Sequence, residues 1–254
     1  FNTDGSLDTS FGTNGKVTTA FSTDFSADAD ANSVVIQTDG KIIVAGTSKN
    51  NSGDYDFALA RYDQNGNLDT SFDGDGKVTT FFPSATNVNA TQPDTVNSLA
   101  IQSDGKIIAA GHSKANRILL GSVFKDDFAI ARYDSNGSLD TTFDHDGMLN
   151  TNIGFGGIPW TPSNLTMVQN DQKIILLGKR EIGNDAYNLL VRYNANGSID
   201  STFGVDGYVV SAVRETGYRE NFYALNLQRD GKILAVGRRI VDTIGFFLII
   251  RYNK

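Results

Sequence analysis

Four pairs of residues suited to recognition chemistry stand at equivalent places, each directly after a glycine. They are Thr47-Ser48 after Gly46, His112-Ser113 after Gly111, Lys179-Arg180 after Gly178 and Arg238-Arg239 after Gly237. Equal placement predicts that His112, Lys179, Arg180, Arg238 and Arg239 converge near one opening. There they would receive a carboxylate, a sulfate or an acidic sugar, because a guanidinium fork matches paired oxyanion oxygens. Glu181, Asp185, Glu215 and Asp242 lie close in sequence, so the same cations also read as solvated charges balanced by neighbours. Trp160 is the single tryptophan and sits between Pro159 and Pro162. On so stiff a loop it suits a sugar or peptide platform, although the commoner role of such a residue is to plug its own sheet.

The acidic turns invite a hard cation such as calcium, which takes six to eight oxygens. The candidates are Asp63, Asn65 and Asp69, and again Asp134, Asn136 and Asp140. Neither set has alternating aspartates closed by a bidentate glutamate, and Asn-Gly already serves as a turn former. The expectation is therefore no metal and no cofactor. Two histidines and no cysteine exclude a His-rich metal centre and any thiolate chemistry. His145 occupies a turn position held elsewhere by Thr13, Gly74 and Val205. No spacing singles out a carboxylate pair for glycoside hydrolysis, and without helical periodicity there is no phosphate-cradling loop before a helix. No catalytic residue is expected.

Other polar residues recur once per repeat: Arg61, Arg132, Arg192 and Arg251, with Asp8, Asp69, Asp140 and Asp200. A catalytic group is needed once, whereas an ion pair or capped turn is needed in every copy, so these belong to the scaffold. The same holds for Gln37, Gln102, Gln169 and Gln228 and for Lys41, Lys106, Lys173 and Lys232.

The elements that must position these groups come from a fourfold repeat. Asn2-Thr3-Asp4-Gly5-Ser6-Leu7-Asp8-Thr9-Ser10-Phe11 returns in recognisable form from Asp63, Asp134 and Asn194. Each unit of about 60 residues reads as four short strands, here a to d, separated by turn signals. In the first unit they are Ser33–Gln37, Lys41–Gly46, Phe57–Tyr62 and Lys77–Phe81. The Asp39-Gly40 dipeptide between a and b predicts a tight hairpin with two positive φ angles. Four antiparallel strands repeated in this way describe propeller blades, and the fold class is an all-β β-propeller.

The chain begins with a lone d segment, Lys16–Phe21, and its last blade stops at strand c, Phe247–Tyr252. Pairing the two would close a four-bladed ring and remove the open edges. Two chains exchanging ends would form an eight-bladed ring instead, and a third alternative is an incomplete fragment of a larger ring. The expected layout is one propeller domain over 1–254, with blades at about 22–81, 82–153 and 154–213, and the last formed by 214–254 with 1–21. The a–b and c–d connections fall on one rim and are nearly uniform. The b–c loops (about 47–56, 112–127, 179–187 and 238–245) and the d–a loops fall on the other. Variation on a repeated scaffold marks the recognition face.

The repeated strings Asp56-Phe57-Ala58-Leu59-Ala60-Arg61-Tyr62, Asn136-Gly137-Ser138-Leu139-Asp140 and Ile36-Gln37-Thr38-Asp39-Gly40-Lys41-Ile42-Ile43-Val44-Ala45-Gly46 resemble the delta-sixty repeat of mostly exported bacterial proteins. That resemblance implies a β-propeller and an extracellular or cell-surface setting. The family has no common activity, so it implies no catalytic residue.

Composition narrows the partners. The 254 residues carry 22 Lys+Arg against 29 Asp+Glu, a net charge of −7, which disfavours a nucleic-acid backbone. No apolar run approaches the roughly 18–20 residues that span a bilayer. The chain opens at Phe1 without a signal-like stretch, as a mature or excised piece would. The function these observations favour is a non-enzymatic binding module for a glycan, a small anion or a protein. The alternatives are a ligand-free structural spacer and a propeller hydrolase acting on a sugar or lactone.

Overall fold

The computed structural model describes residues 1–22, 28–83, 94–119, 122–151, 154–155, 158–159, 161–169, 171–182, 185–211, 218–241 and 243–253. Four antiparallel meanders follow one another along the chain. The first contains β1 (Ala29–Ile36), β2 (Ile42–Lys49), β3 (Tyr55–Tyr62) and β4 (Lys77–Thr80), and the second β5 (Thr95–Ile101), β6 (Ile107–Leu119), β7 (Ser122–Tyr133) and β8 (Met148–Thr151). A short ribbon, β9 (Gly154–Phe155) with β10 (Ile158–Pro159), leads to the third sheet. That sheet contains β11 (Thr161–Val168), β12 (Ile174–Ile182), β13 (Asp185–Tyr193) and β14 (Tyr208–Ser211). The fourth has only β15 (Tyr218–Leu227), β16 (Ile233–Val241) and β17 (Ile244–Tyr252). No helix among the described residues is long and apolar enough to cross a membrane.

The second strand of each sheet shows why the apolar runs are continuous and do not alternate. Successive side chains on a strand point to opposite faces. Ile107 joins a core shared with Ile43 and Leu59 of the first sheet, while its neighbour Ile108 joins one shared with Ile174 and Leu176 of the third. Ile174 and Ile175 divide in the same way between the second and fourth sheets. A sheet packed on both faces needs apolar residues at both parities. The core is therefore three layers lying between four sheets.

Two local features differ from the sequence reading. The a–b turn of the first sheet closes with Gln37 N–H donating to Lys41 O (2.8 Å) and Gly40 N–H to Gln37 O (2.9 Å). Only Gly40 has positive φ (83°) there, so this is a three-residue turn with a glycine bulge and not a two-residue turn with both angles positive. The b–c connections are also shorter than expected. Strands continue past the glycine, so that β6 and β7 are joined through 120–121 and β12 and β13 through 183–184. Continued pairing satisfies backbone groups that a long loop would leave to water. The glycine within this strand is there because of close approach. A Cβ on Gly46, Gly111 or Gly237 would lie 1.9, 1.8 or 2.0 Å from the carbonyl oxygen of Asp30, Thr95 or Asn221, beside a register shift in strand a.

Ring closure is corrected as well. Residues 16–21 form no strand and do not pair with β17, and the fourth sheet stays three-stranded. They lie instead against the first sheet, where Gly12 N–H donates to Asn65 O (2.7 Å) and Tyr62 OH donates to Thr19 Oγ1 (2.6 Å). The innermost strands pack in the order β1–β5, β5–β11 and β11–β15, with no comparable packing of β15 on β1. Closure would require a fourth junction, and the three existing ones leave the end sheets apart.

Candidate functional site

The uniform rim is fixed by salt bridges. In the third sheet, Arg192 Nε donates to Asp200 Oδ2 (2.7 Å), and Lys173 Nζ reaches the same oxygen at 2.9 Å. Arg61 and Lys41 meet Asp69 at 2.8 and 3.0 Å, and Arg132 meets Asp140 at 2.6 Å with Lys106 also in contact. Lysine from the a–b turn and aspartate from the c–d turn thus share one rim. Burial would raise the carboxyl pKa of Asp69, Asp140 and Asp200. Hydrogen bonds from the neighbouring hydroxyl and lysine, with the arginine charge, outweigh it and hold all three well below the usual carboxylate range.

The same geometry engages the calcium candidates. Asp69 and Asp140 serve the ion clusters, Asp63 Oδ1 accepts the backbone N–H groups of Asn65 and Asn67, and Asn136 Oδ1 accepts Ser138 N–H and OH. Asp134 Oδ1 lies 3.7 Å from Lys106 Nζ. Among the described residues no three His, Cys, Asp or Glu side chains gather as a metal site.

On the opposite rim the cationic positions lie on the second strand of three different sheets, flanked by strands on both sides. His112 pairs in register with Thr95 and Phe128, Lys179 with Thr161 and Asn188, and Arg238 with Asn221 and Phe247. His112 is half-buried, with Nδ1 3.2 Å from Asn97 Nδ2. Lys179 and Arg238 are exposed. Arg238 lies over Gly245, where a Cβ would come 2.4 Å from Nε. Trp160 and the side chain of Arg180 lie outside the described residues. Arg239 stands opposite Glu220. Glu220 is only 2 % exposed; burial raises its pKa, and the Arg239 charge opposes that shift. Sequence reasoning missed Glu220, although a glutamate facing an arginine across a strand pair was the available signal.

A hollow rich in polar groups lies on this rim at the first sheet. It measures about 650 Å³ and is lined by Phe21, Ser48, Lys49, Asn50, Asp56 and Thr79 among others. The β2–β3 hairpin builds it. Asn50 Oδ1 accepts the N–H groups of Ser52 (2.9 Å) and Asp54 (3.0 Å), a local turn that Gly53 completes at φ 88°. The Asn50 amide then donates to Asp56 Oδ2 at 3.0 Å. The turn thus orients both an amide and a carboxylate toward the hollow. Deeper in, Thr47 Oγ1 donates to Asp94 O (2.9 Å), tying this rim to the second sheet.

Comparison with known families fits this architecture. Residues 37–72, 116–143 and 169–203 match the family described as a domain of unknown function (DUF5122) beta-propeller. The repeats are of the β-propeller type. Each matched segment of this propeller chain includes strand c and the turn that carries the ion-clustered aspartate. No curated protein sequence matches the chain. Among solved structures, the propeller chain is similar to a mannose phosphorylase from Leishmania mexicana (10 % identity, TM-score 0.40, covering 87 % of this chain and 61 % of that one). It is also similar to a protein of unknown function from Dyadobacter fermentans (14 %, 0.45, 83 % and 62 %) and to the polysaccharide lyase Uly1 (12 %, 0.46, 82 % and 48 %). The chain thus spans less than two thirds of each of these proteins.

Proposed function

We propose that this propeller is a non-enzymatic binding module, of the delta-sixty type and from an exported bacterial protein, that takes a short glycan in the rim hollow beside Asp56. The lining of that hollow carries the reading. A carboxylate, amides, hydroxyls and an amine around one aromatic ring suit a ligand with many hydroxyl groups, each able to donate and accept. The negative charge of Asp56 disfavours a small anion at this place. Phe21 supplies an apolar face against which a sugar ring can rest.

A glycan array with the purified chain, repeated with Asn50→Ala and Lys49→Ala, tests the reading. The expected result is a narrow set of hits weakened at least tenfold by Asn50→Ala, with the melting temperature of the protein unchanged. An empty array, or hits indifferent to both substitutions, overturns it and leaves the spacer role. Incubating a hit with the protein and analysing the sugar for cleavage separates binding from hydrolysis.

A further inference from the structure

We propose that the outer face of the fourth sheet docks head to tail on the outer face of the first sheet of a second copy of this chain. In that contact Asp8 completes an ion cluster with Arg251 and Lys232. Both faces are halves of a junction that the molecule already builds at its other sheet boundaries.

The junctions of the first with the second sheet and of the second with the third use the same parts. An arginine of strand c pairs with the aspartate of its own c–d turn and stacks on the phenylalanine that follows, Arg61 on Phe72 at 4.6 Å and Arg132 on Phe143 at 4.8 Å. Its Nη1 donates into the next sheet, to Ser135 O from Arg61 and to Ala195 O from Arg132. The turn also crosses the boundary, with Asp73 N–H donating to Asn136 O (2.7 Å) and Asp144 N–H to Asn196 O (2.9 Å). Higher up, Thr80 Oγ1 and Tyr133 OH lie 2.6 Å apart.

The N-terminal segment already holds the second half of such a junction on the first sheet. Gly12 N–H takes the place of Asp73 or Asp144 N–H, Thr19 that of Thr80, and a Cβ on Gly66 would lie 3.2 Å from the Phe11 ring, much as one on Gly137 would meet Phe72. What this segment lacks is its own strand c. The half-buried Asp8 carboxylate accepts, among the described residues, only from Ser10 (N–H 3.0 Å, OH 2.5 Å). A cavity of about 430 Å³, lined by Phe11, Val17, Ile42, Val44 and Tyr62, opens where a preceding sheet would pack.

The fourth sheet carries the complementary half. Phe247 is 102 % exposed and Ile249 69 %, whereas their counterparts in the first sheet, Phe57 and Leu59, are fully buried. Among the described residues Lys232 pairs only with Asp230 (2.8 Å), where the lysines of the other sheets also reach the turn aspartate. Arg251 is exposed, with no carboxylate of the described residues in salt-bridge contact. The repeat register places Ile249 opposite Val17 and Leu248 opposite Thr18, as Leu59 faces Val78 and Ala58 faces Thr79. Charge, apolar surface and strand edge therefore match together. The donor is a second copy because the junctions within one chain leave β15 without packing on β1 comparable to that of β5 on β1 or β15 on β11.

Light scattering tests this directly. The unmodified chain is expected at twice 27.4 kDa or above. Asp8→Arg and Arg251→Asp, each alone, are expected at 27.4 kDa with an unchanged circular dichroism spectrum, and an equimolar mixture of the two variants regains the larger mass. The chain has no cysteine, so Thr18→Cys in one copy and Leu248→Cys in another give a clean cross-linking pair, expected to yield a covalent dimer on oxidation. An unmodified chain at 27.4 kDa at all concentrations overturns the proposal. So does a Thr18→Cys/Leu248→Cys chain that links only within itself, or a larger mass indifferent to both charge reversals.

Discussion

Arg192 donates from Nε to Oδ2 of Asp200 at 2.7 Å, and both residues are buried where β13 ends. The guanidinium also stacks on Phe203, 4.4 Å from the ring centre. One side chain thus fastens strand c to its own turn through charge, hydrogen bonding and π-contact at once. Removing it leaves Asp200 with Lys173 as its remaining cation. Arg192→Ala is expected to destabilise the protein by about 3 kcal/mol. Urea unfolding followed by circular dichroism measures this; a loss below about 1 kcal/mol would show that Lys173 suffices.

The three turn aspartates predict acid sensitivity. Their folded pKa values lie below the ordinary value, so their stabilising effect is fully present above the unfolded pKa near 4. It is lost as pH falls from there through the folded values. Melting temperature should be flat with respect to these groups between pH 5 and 7 and drop below about pH 4. Asp140→Asn should lower stability at pH 7 and flatten the acid limb.

His145 adopts φ 74°, a left-handed conformation that costs a residue with a Cβ about 1 kcal/mol. Gly74 holds the equivalent place at φ 87°. His145→Gly is expected to raise the melting temperature by a few degrees. A lower one would mean that the imidazole makes a contact worth more than the strain.

Gly111 marks a close approach of two backbones, since a Cβ there would stand 1.8 Å from Thr95 O. Gly111→Ala must push strand a away from strand b, at an expected loss of about 1–3 kcal/mol. The same change at Gly105, whose Cβ would meet nothing but whose φ is 86°, should cost only the backbone strain of about 1 kcal/mol. Comparing the two variants in one unfolding series separates contact from conformation.

Phe143 is fully buried between the second and third sheets. Its truncation to alanine removes both the stacking surface for Arg132 and a junction filler, with an expected loss of about 3–5 kcal/mol. Coupling to Arg132→Ala in a double-mutant cycle should exceed about 0.5 kcal/mol if the two act together.

Sequence alone determined the repeat, the strand order within each unit and the scaffold role of Arg61, Asp69 and Lys41. These follow from local rules: alternation along a strand, turn chemistry at Asp39-Gly40, and recurrence once per copy. Tertiary structure decided what local rules cannot see. Which face of Ile107 or Ile108 meets which neighbour depends on two sheets at once. The hollow beside Asp56 arises because β2 and β3 continue past Gly46, which backbone pairing across the hairpin favours. The open boundary between the first and last sheets is likewise a property of several sheets at once. A repeat specifies a junction, but the angle at which side chains interlock across it, summed over several sheets, decides whether the two ends meet.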